Sequence, residues 1–236
     1  MAIKERKGIN IMAGVLYGIG VGPGDPECMT LKAVRLIEEV DIIAAPGEDV
    51  KKTTAYTIAL QAVPGIADKE LLPIHMPMVM DRDFIAKYHC RGAEKIAGKL
   101  EEGKNVGFIT LGDPTVYSTF SYIEKIVKDM GYQTAYISGI PSFCAAAAAM
   151  SIPLAEGRES IHIIPAMHDH MQIPDAEGNY VFMKSGRKIS EVRKILKKSG
   201  RDVIMVENCG LPDEKRYYSV DEIPDDSGYY TLIIAK

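Results

Sequence analysis

No two of the four cysteines form a CxxC pair; Cys28, Cys90, Cys144 and Cys209 are scattered through 236 residues. In a chain of this size that usage fits free thiols in a reducing compartment, not a disulfide framework. Long apolar runs are missing too. The longest, such as FCAAAAAM (143–150), fall far short of the roughly 20 residues that span a bilayer. The charged N-terminus MAIKERKGINIM has no long apolar stretch before a cleavage site, so no secretory leader is expected. A basic excess is also lacking. Lys and Arg number 28 against 32 Asp and Glu, and the formal net charge of −4 offers no global field for nucleic acid. Together these absences predict a soluble cytoplasmic protein bound to neither membrane nor nucleic acid. A local cluster of cations in a pocket would still suit a polyanionic small molecule.

Catalytic signatures are equally scarce. GxSxG and the P-loop are absent, and no nucleophile–base pair stands out. His162, His168 and His170 lie close together with Asp169 between the last two. HDH puts two imidazoles on one face only if the segment is extended, and no further ligand follows at zinc spacing. The segment is read as a solvent loop, and no metal is expected.

What is present is an ordinary globular composition, 47% apolar and 25% charged, with enough length for two small α/β units. Short apolar runs alternate with amphipathic helical patterns. VLYGIGV (15–21), DIIAAP (41–46) and NVGFIT (105–110) predict strands. CMTLKAVRLIEEV (28–40), TTAYTIALQAV (53–63, closed by Pro64-Gly65), 84–103 and 120–131 predict helices. That rhythm argues for a mostly parallel sheet with helices packed on it. After an alanine-rich helix (143–150) come strand-like runs at 160–166, 180–184, 202–208, 215–220 and 229–236, broken by one amphipathic helix at 188–200. Successive short strands imply an antiparallel portion. The expectation is therefore two α/β domains, residues 14–137 with a mostly parallel sheet and 138–236 with a mixed one.

Three segments can carry chemistry. GIGVGPGDP (18–26) follows a strand, and its glycines permit close approach of a ligand to the backbone. Asp25 is placed to cap the next helix with Pro26 at its first position. The loop is not a dinucleotide fingerprint: starting GxGxxG at Gly18 or Gly20 puts its last glycine on Pro23 or Asp25. LGDPTVYSTF (111–120) follows the most apolar strand at its carboxyl end, where open α/β sheets bind ligands. It joins Gly112 and the Asp113 carboxylate to the hydroxyls of Thr115, Tyr117, Ser118 and Thr119. SGIPSFCAAAAAM (138–150) is a turn entering a helix of small side chains, fit either for tight packing or for a ligand.

GxGPGDPE, GDPTVYST, GIPS and VENCGLP together, in this order and over nearly the whole chain, resemble the tetrapyrrole (corrin/porphyrin) methylase family. YGIGVGPGDPECMTLKAVR, PMVMDRD (77–83), TLGDPTVYSTFSYI and PLAEGRESIHIIPA are most similar to the branch that methylates C20 of precorrin-2 or cobalt-precorrin-2. The resemblance implies a homodimeric enzyme of cobalamin and porphyrin biosynthesis, with S-adenosyl-L-methionine in a cleft between two domains and S-adenosyl-L-homocysteine as product. By the same resemblance Pro23, Leu111, Gly112, Asp113, Val116, Ser142, Phe143, Met183 and Cys209 would contact the cofactor. Asp25, Tyr117, Ser118, Arg158 and Lys184 would meet a tetrapyrrole substrate, with Arg82 and Arg187 as further cations for its carboxylates. Two departures stand out: ENCG replaces ENGT at Cys209, and FMKSGR replaces the usual FYMG-like run at Lys184.

The implied reaction is methyl transfer from a sulfonium to an electron-rich ring carbon. Its thioether leaving group needs no acid, so holding the reactants in line supplies most of the acceleration. Asp113, Tyr117 and His75 are the candidates for a base. Two alternatives stay open, methylation at another ring position (C4, C11 or C17) and an NAD-linked oxidoreductase using the first glycine loop.

Overall fold

A computed structural model describes residues 13–77, 81–166 and 176–236, without the side chains of Arg82 and Arg187. The chain divides after Ile140 into two compact units.

The N-terminal unit is built on five strands: β1 (Val15–Gly20), β2 (Ile42–Pro46), β3 (Glu70–Ile74), β4 (Val106–Thr110) and β5 (Gln133–Ile137). Their order is β3-β2-β4-β1-β5, and every pairing is parallel. The central strand β4 is buried along its whole length, as expected for a sheet covered on both faces. Neighbouring residues of a strand face opposite ways, so each strand feeds two cores. Ile43, Ala45 and Ile109 join α1 (Leu31–Glu39) and α2 (Thr54–Ala62) on one face. Ile42, Ala44 and Phe108 join α3 (Arg82–Glu101) and α4 (Phe120–Asp129) on the other. Helix starts follow the local chemistry. Thr30, Thr53 and Asp81 each accept a hydrogen bond from the backbone N–H three residues on, which satisfies one open donor of α1, α2 and α3.

The strand patterns at 15–21, 41–46 and 105–110 fall where predicted. β3 and β5 carry no such signal, and they are the two edges of the sheet. An edge strand buries less, so β3 tolerates Pro73 and β5 exposes Gln133 and Tyr136. Beyond α2, Pro64–Asp68 continue as a short 3-10 turn instead of stopping outright.

In the C-terminal unit α5 (Ser142–Ala149) precedes β6 (Ile161–Pro165), β7 (Asn179–Met183), α6 (Ile189–Ser199), β8 (Val203–Glu207), β9 (Lys215–Tyr217) and β10 (Thr231–Ala235). The order is β6-β7-β10-β8-β9, with β6–β7 parallel and the other pairings antiparallel. This is the mixed sheet the short strands predict. Ile189, Val192 and Leu196 of α6 cover it, packed on Tyr180, Phe182, Met205 and Ile233. The HDH segment at 168–170 lies outside the described residues. No helix among the described residues is long and apolar enough to cross a membrane.

Two glycines of α3 differ sharply in their surroundings. Gly92 is in close contact with the sheet, since a Cβ there would stand 2.7 Å from Ile74 Cγ2, whereas one at Gly98 would meet nothing within 4 Å. Gly98→Ala is therefore expected to stabilise the fold by about 0.5–1 kcal/mol through helix propensity. Gly92→Ala is expected to destabilise it, because overpacking costs about 1–3 kcal/mol and outweighs that gain. Thermal unfolding of the two variants checks both signs, and a raised midpoint for Gly92→Ala would contradict the packing argument.

Candidate functional site

Strands β1, β4 and β5 deliver three loops to the carboxyl edge of the parallel sheet. The first two are joined through their backbones. Val21 N donates to Thr110 O at 3.0 Å, Gly112 N to Gly22 O at 2.7 Å, and Gly22 N to Gly112 O at 3.3 Å. Gly22 and Gly112 hold this bridge with φ of +76° and +72°, a left-handed backbone that glycine adopts without steric cost. The third loop lies on the same spot. A Cβ at Gly20 would fall 2.6 Å from Gly112 O, and a Cβ at Gly139 would overlap that same oxygen. Gly20 is thus required by the crossing of the loops themselves. The sequence reading, in which this glycine makes way for a ligand, is corrected to that extent.

Asp113 closes the crossing. Its buried carboxylate accepts hydrogen bonds at Oδ1 from Thr115 N (2.7 Å) and the Thr115 hydroxyl, and at Oδ2 from Gly139 N (3.0 Å). Both oxygens are engaged, which suits a residue that positions backbone and not one that shuttles protons. The Ser118 hydroxyl is tied back as well. Ser118 Oγ lies 3.1 Å from Thr110 Oγ1 and accepts from Phe120 N at the start of α4. Tyr117 has a left-handed φ of +48° and is 46% exposed. Leu111 and Val116 are partly buried on the same loop.

The first loop is anchored at its far end too. Pro23 is buried, and Asp25 Oδ1 accepts from Glu27 N at 2.8 Å, capping a 3-10 turn (Pro26–Cys28) with proline at its start, as expected. The Thr30 hydroxyl donates to Ser138 O at 3.2 Å and so ties the first loop to the third. His75 stands apart from this cluster. It follows β3, two strands from β4 in the sheet order, with Nδ1 3.7 Å from Glu48 Oε1. Gly139 belongs to the GIPS motif, but its bond to Asp113 and the Thr30 tie to Ser138 are not legible in any motif. A threonine before a helix has a sufficient local reason to be there as its cap.

In the C-terminal unit Ser142 opens α5, and Phe143 is buried behind it. Met183 and Glu207 both pair with the start of β10, so the turns after β7 and β8 leave the sheet at one end. This brings Met183, Lys184 and Cys209 to that end. Lys184 has φ +59° and its ammonium lies 5.9 Å from the centroid of the Tyr229 ring. Arg158 is not with them. It precedes β6, whose first residue pairs with the first residue of β7, at the opposite end of the strands. Within this unit Arg158 and Lys184 therefore stand at opposite ends of the sheet. Ser185, next to Lys184, is fully buried, and its hydroxyl has no hydrogen-bond partner among the described residues.

The ENCG turn is held from below. Gly210 N donates to Glu214 Oε2 at 2.7 Å, and Arg216 Nε lies 2.6 Å from Glu214 Oε1. Burial works to raise the Glu214 carboxyl, but the Gly210 amide, the Arg216 guanidinium and the Cys209 thiol outweigh it and keep the group below its usual range.

Two predictions follow from these networks. Asp113→Ala removes the acceptor of charge-assisted hydrogen bonds to buried donors and is expected to cost roughly 3 kcal/mol, read by chemical denaturation. A loss below about 0.5 kcal/mol would mean the carboxylate does not hold the loops. For Glu214, a depressed carboxyl pKa stabilises the fold above the unfolded-state value, and that contribution is lost as pH falls. Glu214→Gln should lower the melting temperature near neutrality, and the gap to the parent should narrow in acid. A gap that widens as pH drops would reverse the assigned sign.

The sequence matches the family described as Tetrapyrrole (Corrin/Porphyrin) Methylases over residues 15–224. It is 36% identical over 97% of its length to 98% of a protein of Methanocaldococcus jannaschii named probable cobalt-precorrin-2 C(20)-methyltransferase. It is 28% identical, over 94% of its length and 96% of the relative's, to the cobalt-precorrin-2 C(20)-methyltransferase of Salmonella typhimurium. A crystal structure of uroporphyrin-III C-methyl transferase from Thermus thermophilus, complexed with S-adenyl homocysteine, shares the fold at a TM-score of 0.68 and 19% identity, covering 94% of this chain and 98% of that one. By its sequence over nearly its full length, this chain belongs to the tetrapyrrole methylases.

Proposed function

We propose that this chain transfers a methyl group from S-adenosyl-L-methionine to C20 of precorrin-2 in its cobalt-bearing form, a step of cobalamin biosynthesis. The names of the two relatives from M. jannaschii and S. typhimurium support the acceptor. The Thermus structure with S-adenyl homocysteine, a protein of the same fold, supports the donor. The observation that carries the reading is the interlocked crossing of Gly20, Gly112 and Gly139 under the Asp113 carboxylate, a rigid backbone rim with its own acid groups already satisfied.

These residues fit the cofactor. The Asp113, Thr115 and Ser118 side chains of the 111–119 loop are held by hydrogen bonds within the unit. Leu111, Gly112, Asp113 and Val116, with Pro23, would hold it from the N-terminal unit. Ser142, Phe143, Met183 and Cys209 would do so from the C-terminal one, where the unpartnered Ser185 hydroxyl beside Met183 and Lys184 is a polar atom suited to a ligand. S-adenosyl-L-methionine supplies a methyl group on a sulfonium whose departing thioether is neutral. The chain's own contribution is to fix the rim, exclude slack from the 111–119 loop and hold the acceptor in line. Neither Asp113, whose oxygens are occupied, nor the remote His75 is required as a base. Tyr117 is the candidate that remains. The glycine spacing that disfavours an NAD site now has a second reason, since Gly20 is committed to loop packing. Cytoplasmic location and a homodimeric state complete the proposal.

The test is incubation of purified protein with S-adenosyl-L-methionine and precorrin-2, with and without cobalt, followed by mass and NMR analysis. One added methyl at C20, faster with cobalt, is expected. A methyl at another ring carbon would sink the C20 assignment, and no methylated product from either substrate would sink the proposal.

A further inference from the structure

The carboxyl edge of the N-terminal sheet carries a second feature, on its β2–β3 side. Gly92 of α3 packs on Ile74, the last residue of β3, and Lys99 reaches Glu70, the first, at 2.8 Å. Helix α3 therefore runs back along β3, and its opening turns stand over the carboxyl edge. Those turns present aromatic rings. Phe84 and Tyr88 lie 4.8 Å apart between centroids, and Tyr88 meets His75 at 5.0 Å. The Arg91 guanidinium sits 5.6 Å from the Tyr88 centroid. One residue along, His89 stacks on Tyr122 at 4.9 Å with only 12° between the rings. Tyr122 lies in the first turn of α4, just after the 112–119 loop. Phe84 is 42% exposed and Tyr122 58%.

The core face of α3 is supplied by Ala93, Ile96 and Leu100, so these rings are not needed to bury the helix. Single exposed apolar residues are commonplace, but an exposed row of rings backed by a cation points to something that covers it. Aromatic faces bind flat conjugated ligands by offset stacking, and a guanidinium on the same row pairs with carboxylates. Burial holds the His89 imidazole below its usual pKa, so near neutrality it is a neutral stacking surface.

We infer that the row Phe84, Tyr88, Arg91, His89 and Tyr122 is a binding surface for the tetrapyrrole acceptor, with the rings against the macrocycle and Arg91 toward its carboxylate arms. The inference rests on the proposed function for the identity of the ligand. Apart from Tyr122, which falls in TLGDPTVYSTFSYI, its residues lie outside the motifs of the chain. The occupant is a tetrapyrrole and not a second copy of the chain for two reasons. The row ends at the loop that forms the cofactor rim, and it carries a cation where a polycarboxylate needs one.

The test uses Phe84→Leu/Tyr88→Leu and Tyr122→Leu, which keep apolar bulk, and Arg91→Met. Binding of cobalt-precorrin-2 is followed by absorbance titration, S-adenosyl-L-methionine binding by calorimetry, and association state by sedimentation. Tetrapyrrole Kd is expected to rise roughly tenfold in the aromatic variants, the factor that ~1.4 kcal/mol of lost stacking gives, with cofactor affinity unchanged. Unchanged tetrapyrrole Kd with intact cofactor binding would overturn the inference. So would variants that change association state alone, which would mark the row as a contact between copies. A parent protein that binds the tetrapyrrole without methylating it refutes the proposed function, and the titrations then judge the row by themselves. A parent that binds no tetrapyrrole overturns both.

Discussion

At the tips of β1, β4 and β5 three stretches of backbone occupy a space that admits no Cβ. The oxygen of Gly112 lies where side chains at positions 20 and 139 would have to go, and the Gly22–Gly112 bridge fixes that oxygen in place. Such a crossing is costly to order, because glycine loses more conformational freedom on folding than any other residue. Something must hold it, and the Asp113 carboxylate does so by accepting from Gly139 N and from Thr115 on either side. Thr30 adds a second tie through Ser138 O. The loops are therefore not independent. Releasing one frees the others, and the edge where a ligand binds would soften as a unit.

This arrangement changes what the GDPTVYST segment means chemically. A carboxylate beside four hydroxyls at a strand tip suggests proton transfer. In the folded protein those groups mostly satisfy each other and the backbone: Asp113 with Thr115 and Gly139, Ser118 with Thr110 and Phe120 N. A buried carboxylate whose two oxygens both accept hydrogen bonds from the loops around it holds those loops in place. A loop so braced offers position, which is what transfer of a methyl to a ready nucleophile requires.

The fold was legible where burial was complete. The runs of β1, β2 and β4 are apolar because both faces of those strands are covered, and the helices announce themselves by period and cap. β3 and β5 were silent because edge strands bury less; Pro73 and the exposed Tyr136 obscure the pattern that a central strand shows. Likewise the sequence marks Gly112 and Asp113 by their place after the most apolar strand, yet it does not reveal that Asp113 bonds to Gly139. That contact spans 26 residues and exists only after β5 has paired with β1. Arg158 shows the same limit. Its sequence position says nothing of its distance from Lys184, and the parallel pairing of β6 with β7 puts the two at opposite ends of the strands. Local chemistry sets which residue types are suitable, and strand direction decides which of them meet.

On the proposed reading, one sheet edge divides two tasks between its halves. On the β1, β4 and β5 side the Asp113 and Ser118 side chains are tied back by hydrogen bonds, and glycine backbones cross at the strand tips. On the β2 and β3 side α3 begins with rings left partly uncovered. The difference has a physical logic. A cofactor that must present one atom in a fixed direction needs contacts that cannot shift rotamer, and backbone held by a glycine crossing meets that demand. A broad acceptor that must settle face-on gains more from stacking, which is strong enough to orient a ring yet tolerant of sliding within its plane. The 112–119 loop joins the halves, since it begins at the crossing and ends where α4 carries Tyr122 against His89. Rigidity on one side therefore also sets where the other side begins.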